Sequence, residues 1–309
     1  MLALARRERP AIIVMEGTGI AGGLAVLVAD ALFGVPFAVS TGDAVAPFAG
    51  TRHPLLRPPA AAYERALFRR AAGVIGWTPY LAGRAIGLGA RRAMTAAGWA
   101  PGAAAAEDRR ATRDALGLPE DALVFGLVGS LEWTARVGYC YGLELVRAAA
   151  RVERDDLRVL VIGDGSGRAH LEREAGDRLG RTILLPGAIP RERVAAHLAA
   201  MDVGSLPQSV DAVGGLRYTT KLSEYLAARL PVVTGQIPLA YDLDDGWLWR
   251  VPGDAPWDDV YIAALAEIMR TTQVDEVRRR SELIPAALPV FDRERQERAA
   301  VAFVQDLVR

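Results

Sequence analysis

Short apolar runs and amphipathic segments take turns along nearly the whole chain, and this alternation limits the accessible folds more than any other feature. The apolar runs 11–15, 36–40 and 73–77 read as strands, with helices expected over 19–32, over 59–72 and from Thr78-Pro79 onward. Strands separated by helices of that length build βαβ units around a parallel sheet, and Thr followed by Pro suits an N-cap and a first helical position. Residues 99–110, with Pro101, Gly102 and a run of alanines, break the rhythm and mark a domain boundary. The pattern then restarts, with strands expected over 122–128, 157–162, 182–185, 202–206 and 231–235. Helices are expected over 142–151, 171–179, 191–199 and 221–228, and two or three more over 257–309. The expected organisation is a first domain over 1–110, a second over 111–290, and a closing helix over 291–309 that returns toward the first.

Bulk properties exclude several function classes. A chain of 309 residues exceeds the roughly 100–200 residues of one ordinary domain. Thirty-seven acidic residues offset 37 basic ones, which argues against a general binder of nucleic acid or of membrane surfaces. Cys140 is the only cysteine, so neither an internal disulfide nor a multi-cysteine zinc site is available, and a reducing compartment suits the chain. His53, His170 and His197 lack metal-ligand spacing; the first reads as a solvated loop residue and the others as surface residues of helices. The most apolar stretch, 20–40, is broken by Asp30 and Gly34-Val-Pro36 and falls short of the ~20 apolar residues of a membrane helix. It reads as a buried helix followed by a buried strand. Arginines near the start occupy the place of a signal peptide's apolar core, and a cytoplasmic location is expected. The Arg278–Arg280 run reads as a solvated helix face, with peripheral membrane contact as its minority reading.

One basic residue stands apart: 36 of the 37 are arginine, and Lys221 is the single lysine. It lies in Arg217-Tyr-Thr-Thr-Lys221-Leu-Ser-Glu224-Tyr, at the expected start of a helix. Free N–H groups and the dipole make a helix start an anion site, and Arg217 and Lys221 add two formal charges. Lys221 and Glu224, three apart, share one helical face. An ammonium beside a carboxylate is the pairing that a diphosphate next to a ribose requires. The plain alternative is an exposed helix ion pair contributing a few tenths of a kcal/mol.

At this point the chain resembles a known family. The motifs are Val128-Gly129, Leu160-Val-Ile-Gly163-Asp-Gly165, Leu185-Pro-Gly187-Ala188-Ile189, Met201-Asp-Val-Gly-Ser-Leu-Pro207 and Lys221-Leu-Ser-Glu224-Tyr-Leu-Ala-Ala-Arg-Leu-Pro-Val-Val233. In order and spacing, the run 124–251 is similar to the donor half of retaining GT-B glycosyltransferases of the family 4, group 1 type. The resemblance implies an α/β, GT-B-like fold with two Rossmann-like domains facing a cleft, the N-terminal one incomplete. It implies transfer of a sugar from a nucleotide-diphosphate sugar to an acceptor hydroxyl with retention, the acceptor being a glycan, a lipid or a small molecule. Glu224 would contact the ribose, Gly129 and Ser130 the phosphates, Gly163 and Gly165 the neighbouring turn, and the backbone at Ala188 and Ile189 the base. Arg217 and Lys221 would neutralise the leaving diphosphate, so no metal and no further cofactor is expected.

The chain also departs from that pattern. Leu216 stands eight positions before Glu224, where the family usually has a second glutamate. Ser130 replaces a basic residue, and Tyr141-Gly142 stands where the next helix start carries a lysine. The first domain opens at what resembles its later part, so about half of the acceptor domain is expected to be absent. There, Gly42 takes a histidine's place and Asp43 remains. Glu16 and Asp43 each follow an expected strand end, where open α/β sheets bind ligands, and form the acceptor-side set. Two other classes compete: a non-catalytic nucleotide-sugar-binding paralogue or partner subunit, and a dinucleotide oxidoreductase built on Gly163-Asp-Gly-Ser-Gly167. The latter calls for an acidic residue after its second strand, where Pro186-Gly187 stands.

Overall fold

The computed structural model describes residues 1–98, 106–286 and 288–309. Contacts divide the chain into two compact units. The first comprises Met1–Trp99, Ala212–Thr219 and Ala287–Arg309, and the second Ala100–Asp211 and Thr220–Ala286.

The first unit holds a four-stranded parallel sheet in the order β1 (Ile13–Glu16), β2 (Phe37–Thr41), β3 (Gly73–Gly76), β4 (Ala93–Thr95). Its helices are α1 (Leu2–Glu8), α2 (Ile20–Phe33), α3 (Val45–Arg52), α4 (Arg57–Arg70) and α5 (Pro79–Gly87). Every residue of β2 and β3 is buried, as continuous apolar runs demand of central parallel strands. Phe37, Val39, Leu67, Phe68 and Val74 form the core. Thr78 caps α5 by accepting from the Leu81 N–H at 3.1 Å. The α2 segment departs from the expected buried helix. It buries Gly23, Val26 and Ala29 but exposes Ile20, Leu24, Val28 and Leu32, because it flanks β1, the edge strand, and is covered on one face alone.

The second unit holds six parallel strands in the order β10-β9-β8-β5-β6-β7. They are β5 (Leu123–Val128), β6 (Leu157–Ile162), β7 (Ile183–Gly187), β8 (Val203–Leu206), β9 (Val232–Gly235) and β10 (Leu248–Val251). Its helices are α6 (Ala106–Leu116), α7 (Leu143–Ala149), α8 (Arg168–Ala175), α9 (Val194–Ala199), α10 (Thr220–Ala227), α11 (Pro238–Asp242), α12 (Asp259–Thr271) and α13 (Val274–Leu283). The chain runs outward from β5 through β6 to β7, then returns to place β8 on the opposite side of β5. Such a reversal opens a crevice at the carboxyl ends of the two central strands, the usual ligand position in this architecture.

The unit boundaries differ from those expected at 110 and 290, and side chains explain the differences. Residues 99–105 of the expected linker lie outside the described residues, but α6 is firmly part of the second unit. The nearly buried Arg113 donates to the carbonyls of Ala200, Glu120 and Ala122, and pairs with Asp202 at 2.7 Å. Arg109 pairs with the same carboxylate at 2.7 Å, and Asp202 also accepts from the Val124 N–H at 2.8 Å. Residues 212–219, expected inside the donor domain, belong to the first unit. Thr78 Oγ1 donates to the Leu216 carbonyl at 2.8 Å, and Tyr218 meets Trp77 edge-on at 6.3 Å. The C-terminal helix Arg293–Leu307 belongs there too, with Phe303 and Leu307 against Gly73 and Asp306 paired with Arg92.

Asp202→Ala would strand the buried Arg113 guanidinium, and removing one partner of a buried pair costs ~3–5 kcal/mol. Urea denaturation of the variant is expected to show a loss of that size.

Candidate functional site

Two backbone loops interlock at the crevice of the second unit. Gly129 and Ser130 follow β5, and Gly163-Asp-Gly165 follows β6. Gly163 (φ +141°) and Gly165 (φ +153°) occupy backbone conformations that favour glycine. A Cβ on Gly163 would lie 1.8 Å from the Gly129 carbonyl oxygen, and one on Gly165 2.7 Å from the Leu131 carbonyl carbon. The Leu131 N–H donates to the Asp164 carbonyl at 2.9 Å, and the Gly167 N–H to the Leu131 carbonyl at 2.7 Å. Both glycines therefore shape the 129–131 loop through direct backbone packing. Leu131 is fully buried beneath that loop, while Ser130 is exposed.

Beside this loop stands the first turn of α10, which begins at Thr220, one residue earlier than expected. The absent side chain of Gly129 makes room for Lys221: a Cβ there would lie 2.9 Å from the lysine Cε and 3.2 Å from its Nζ. The ammonium rests 4.5 Å from the centre of the Tyr141 ring. Glu224, one turn further, is half-buried, and burial raises its carboxyl above the usual range while Lys221 and Arg191 draw it down. Arg191, which follows the Ala188-Ile189-Pro190 loop after β7, lies within electrostatic reach of Glu224. Ala188 is exposed and Ile189 half-buried.

Beneath this surface is a polar network that sequence periodicity does not reveal. Glu144, in the first turn of α7, is almost completely buried. It accepts from the Tyr139 hydroxyl at 2.8 Å, the Gly142 N–H at 3.0 Å and the Ser205 hydroxyl at 2.9 Å. Burial raises its carboxyl above the usual range, against the pull of these donors. The Tyr225 hydroxyl donates to the Ser205 carbonyl at 3.0 Å and keys α10 onto β8. Neighbouring Cys140 is buried, which pushes its thiol up to about 11 and leaves it a packing residue rather than a nucleophile.

The remaining expected residues lie in the first unit. Asp43 follows β2, where Thr41 Oγ1 donates to its carbonyl at 2.8 Å. Its carboxylate accepts from Arg217 Nε at 2.6 Å, and the guanidinium lies 5.8 Å from the Phe48 ring centre. The expected trio is thus divided: Arg217 belongs to the first unit with Asp43, and Lys221 and Glu224 to the second. A second unforeseen carboxylate, the buried Glu64, accepts from the Val45 and Ala46 N–H groups and from Arg84 Nε and Nη2, holding the turn that carries Asp43. Glu16 ends β1 and is exposed.

The absence of a histidine at position 42 has a steric reason. A Cβ on Gly42 would lie 2.4 Å from Trp77 Cε3, and the Trp77 indole N–H is anchored on Ser40 Oγ at 3.0 Å. His53 Nδ1 accepts from the Leu55 N–H at 3.3 Å, and His170 stacks on Trp133 at 3.7 Å. His197, expected on the surface, is buried, with Nδ1 2.8 Å from the Arg193 carbonyl.

Residues 122–268 match the family model described as glycosyl transferases group 1. Among solved structures, Anabaena HepE in complex with UDP aligns with a TM-score of 0.74 at 16% identity, covering 99% of this chain and 82% of that one. Sucrose-phosphate synthase from Thermosynechococcus elongatus aligns at 0.69 and 17% identity, over 99% and 75% of the two chains. A UDP-forming α,α-trehalose-phosphate synthase from Burkholderia xenovorans in complex with glucose-6-phosphate aligns at 0.65 and 15% identity, over 99% and 75%. At such identities the likeness establishes the fold, an α/β architecture of GT-B type with two parallel sheets. No curated protein sequence matches the chain.

Two outcomes test the geometry itself. Gly163→Ala places a methyl against a backbone oxygen in a strained conformation, and a loss of about 3 kcal/mol is expected in urea denaturation. Glu224 titrates above its unfolded value, so its contribution is full below the ordinary carboxylate pKa and fades as pH rises through the folded one. From the ordinary carboxylate pKa of about 4 upward, the stability of E224Q relative to wild type is therefore expected to improve until the raised folded pKa is passed and then to level off, and a constant difference would contradict the burial of this carboxyl.

Proposed function

We propose that this chain, whose residues 122–268 carry a group 1 glycosyltransferase domain on a GT-B fold, moves a sugar from a nucleotide-diphosphate sugar to an acceptor hydroxyl with retention. The observation that carries the reading is Lys221 lodged in the space left by Gly129, at the start of α10, with Glu224 one turn away on the same helix. Breaking the glycosidic C–O bond builds negative charge on the departing diphosphate, and fixed positive groups aimed there lower the barrier. Lys221 and the positive end of the α10 dipole supply that charge, with the exposed Ser130 hydroxyl beside them. Glu224 accepts hydrogen bonds from the ribose hydroxyls, and the Ala188-Ile189 backbone meets the base.

Arg217 enters as a second cation, oriented by Asp43. Its ion pair with Asp43 offsets part of its charge. Glu16 and Asp43 lie at the carboxyl ends of β1 and β2 and form the acceptor side. In a front-face retaining transfer the acceptor attacks on the face the diphosphate leaves, and a phosphate oxygen takes the acceptor's proton, so that route requires no protein nucleophile. HepE structures hold UDP and glucose, and one trehalose-phosphate synthase structure holds glucose-6-phosphate. UDP-sugars are therefore the first donors to try, with sugar phosphates, glycans and lipids as acceptors. The reading needs no cofactor and places the reaction in the cytoplasm; no described helix is long and apolar enough to cross a membrane.

A second reading, a nucleotide-sugar binder without transfer, is favoured by Trp77 filling the place of a histidine at position 42 and by Leu216 in place of a glutamate. Release of UDP from UDP-sugars in the presence of acceptors, with the product anomer read by NMR, separates the two. Calorimetric titration with UDP tests the site. A hydrogen bond to a charged group contributes ~1.5–3 kcal/mol, so Lys221→Ala is expected to weaken UDP about 10- to 100-fold, with a smaller loss for Arg217→Ala. Equal affinity in wild type and Lys221→Ala would remove Lys221 from the site.

A further inference from the structure

We propose that Tyr141 is a positioning residue whose ring seats the Lys221 ammonium, and that the buried Glu144 locks this seat from both sides. The inference rests on the reading above, in which that ammonium faces the donor's diphosphate. A lysine side chain is a long flexible stem, and its freedom is lost when the charge is held in one place. A seat that orders the stem before a ligand arrives removes that loss from binding. The Tyr141 ring, 4.5 Å from Nζ, provides it through the attraction of a cation to an aromatic face. Gly129 provides the other wall, since any side chain there would displace Cε.

The seat is held because both partners are tied to one carboxylate. On the tyrosine side, Glu144 Oε2 accepts from the Gly142 N–H at 3.0 Å and from the Tyr139 hydroxyl at 2.8 Å, the two residues flanking Cys140 and Tyr141. Gly142 adopts φ +90°, and a Cβ on it would lie 2.6 Å from Val161 Cγ1, so the backbone there presses directly on β6. The Tyr139 ring packs edge-on against Tyr141 at 6.4 Å and lies 5.3 Å from Trp257. On the lysine side, the Tyr225 hydroxyl fixes α10 to the Ser205 carbonyl at 3.0 Å, and the Ser205 hydroxyl donates to Glu144 Oε1 at 2.9 Å. Loop and helix therefore keep their spacing through the same buried group. Tyr141 is thus a holder for the charge of Lys221.

The single lysine makes the test direct, because lysine labelled with 13C at the ε carbon gives one side-chain signal in the intact protein. In wild type the ε protons are expected upfield of free lysine, shifted by the ring current of Tyr141. Y141F keeps the ring and is expected to keep the shift; Y141L is expected to return the signal to the free-lysine position. E144Q, nearly the same size but short of one acceptor, is expected to reduce the shift while the protein stays folded by circular dichroism. With UDP as probe, Y141L is expected to bind about tenfold more weakly, as loss of a partly desolvated cation–aromatic contact implies. A wild-type signal at the free-lysine position, or one unchanged in Y141L, overturns the seat; one unchanged in E144Q overturns the role of Glu144. If the signals behave as expected and UDP does not bind, the donor reading fails while the seat stands.

Discussion

A backbone carbonyl fills the place where residue 163 would carry a side chain, and the architecture of the candidate site follows from that contact. With Gly129 and Gly163 packed backbone against backbone, the loop after β5 has a fixed path, Leu131 turns inward as its anchor, and the missing side chain of Gly129 opens a slot for Lys221. The glycine-rich turn that resembles a phosphate cradle is thus a mould for the loop next to it. Its glycines are required by a neighbour within the protein.

The same site is stiffened by a buried carboxyl where apolar packing would ordinarily be found. A fully buried carboxylate is costly unless its oxygens are hydrogen-bonded, and Glu144 has three donors from two separate segments, the 139–142 loop and β8. A leucine at that position would pack without linking the segments, whereas directional bonds to Tyr139, Gly142 and Ser205 set their spacing. Glu64 plays a comparable part in the first unit, where two backbone donors and Arg84 converge on it below the turn that carries Asp43.

The first unit shows how one steric change reorganises a neighbourhood. Trp77 lies where a side chain at position 42 would be, and the same indole meets Tyr218 from the 212–219 segment. Next to Tyr218, Arg217 turns to Asp43. Residues expected to serve donor and acceptor separately are therefore an ion pair of 2.6 Å. The fold is shared with solved structures at 15–17% identity, as a scaffold specified by burial pattern allows.

Much of this was legible in the sequence. Alternating apolar and amphipathic segments specify parallel βα units, because burial on both faces of a strand and on one face of a helix leaves a periodic trace that any short window contains. Lys221 and Glu224 on one helical face, and glycines at strand ends, are local features of the same kind. Tertiary structure alone decided the rest. Arg217 finds Asp43 across 174 positions, and Glu144 finds Ser205 across 61. The 212–219 segment joins the first unit, and α2 keeps an exposed apolar stripe. Periodicity records which face of an element is buried; which group meets a buried charge depends on how distant segments pack, and a short stretch of sequence carries no trace of that.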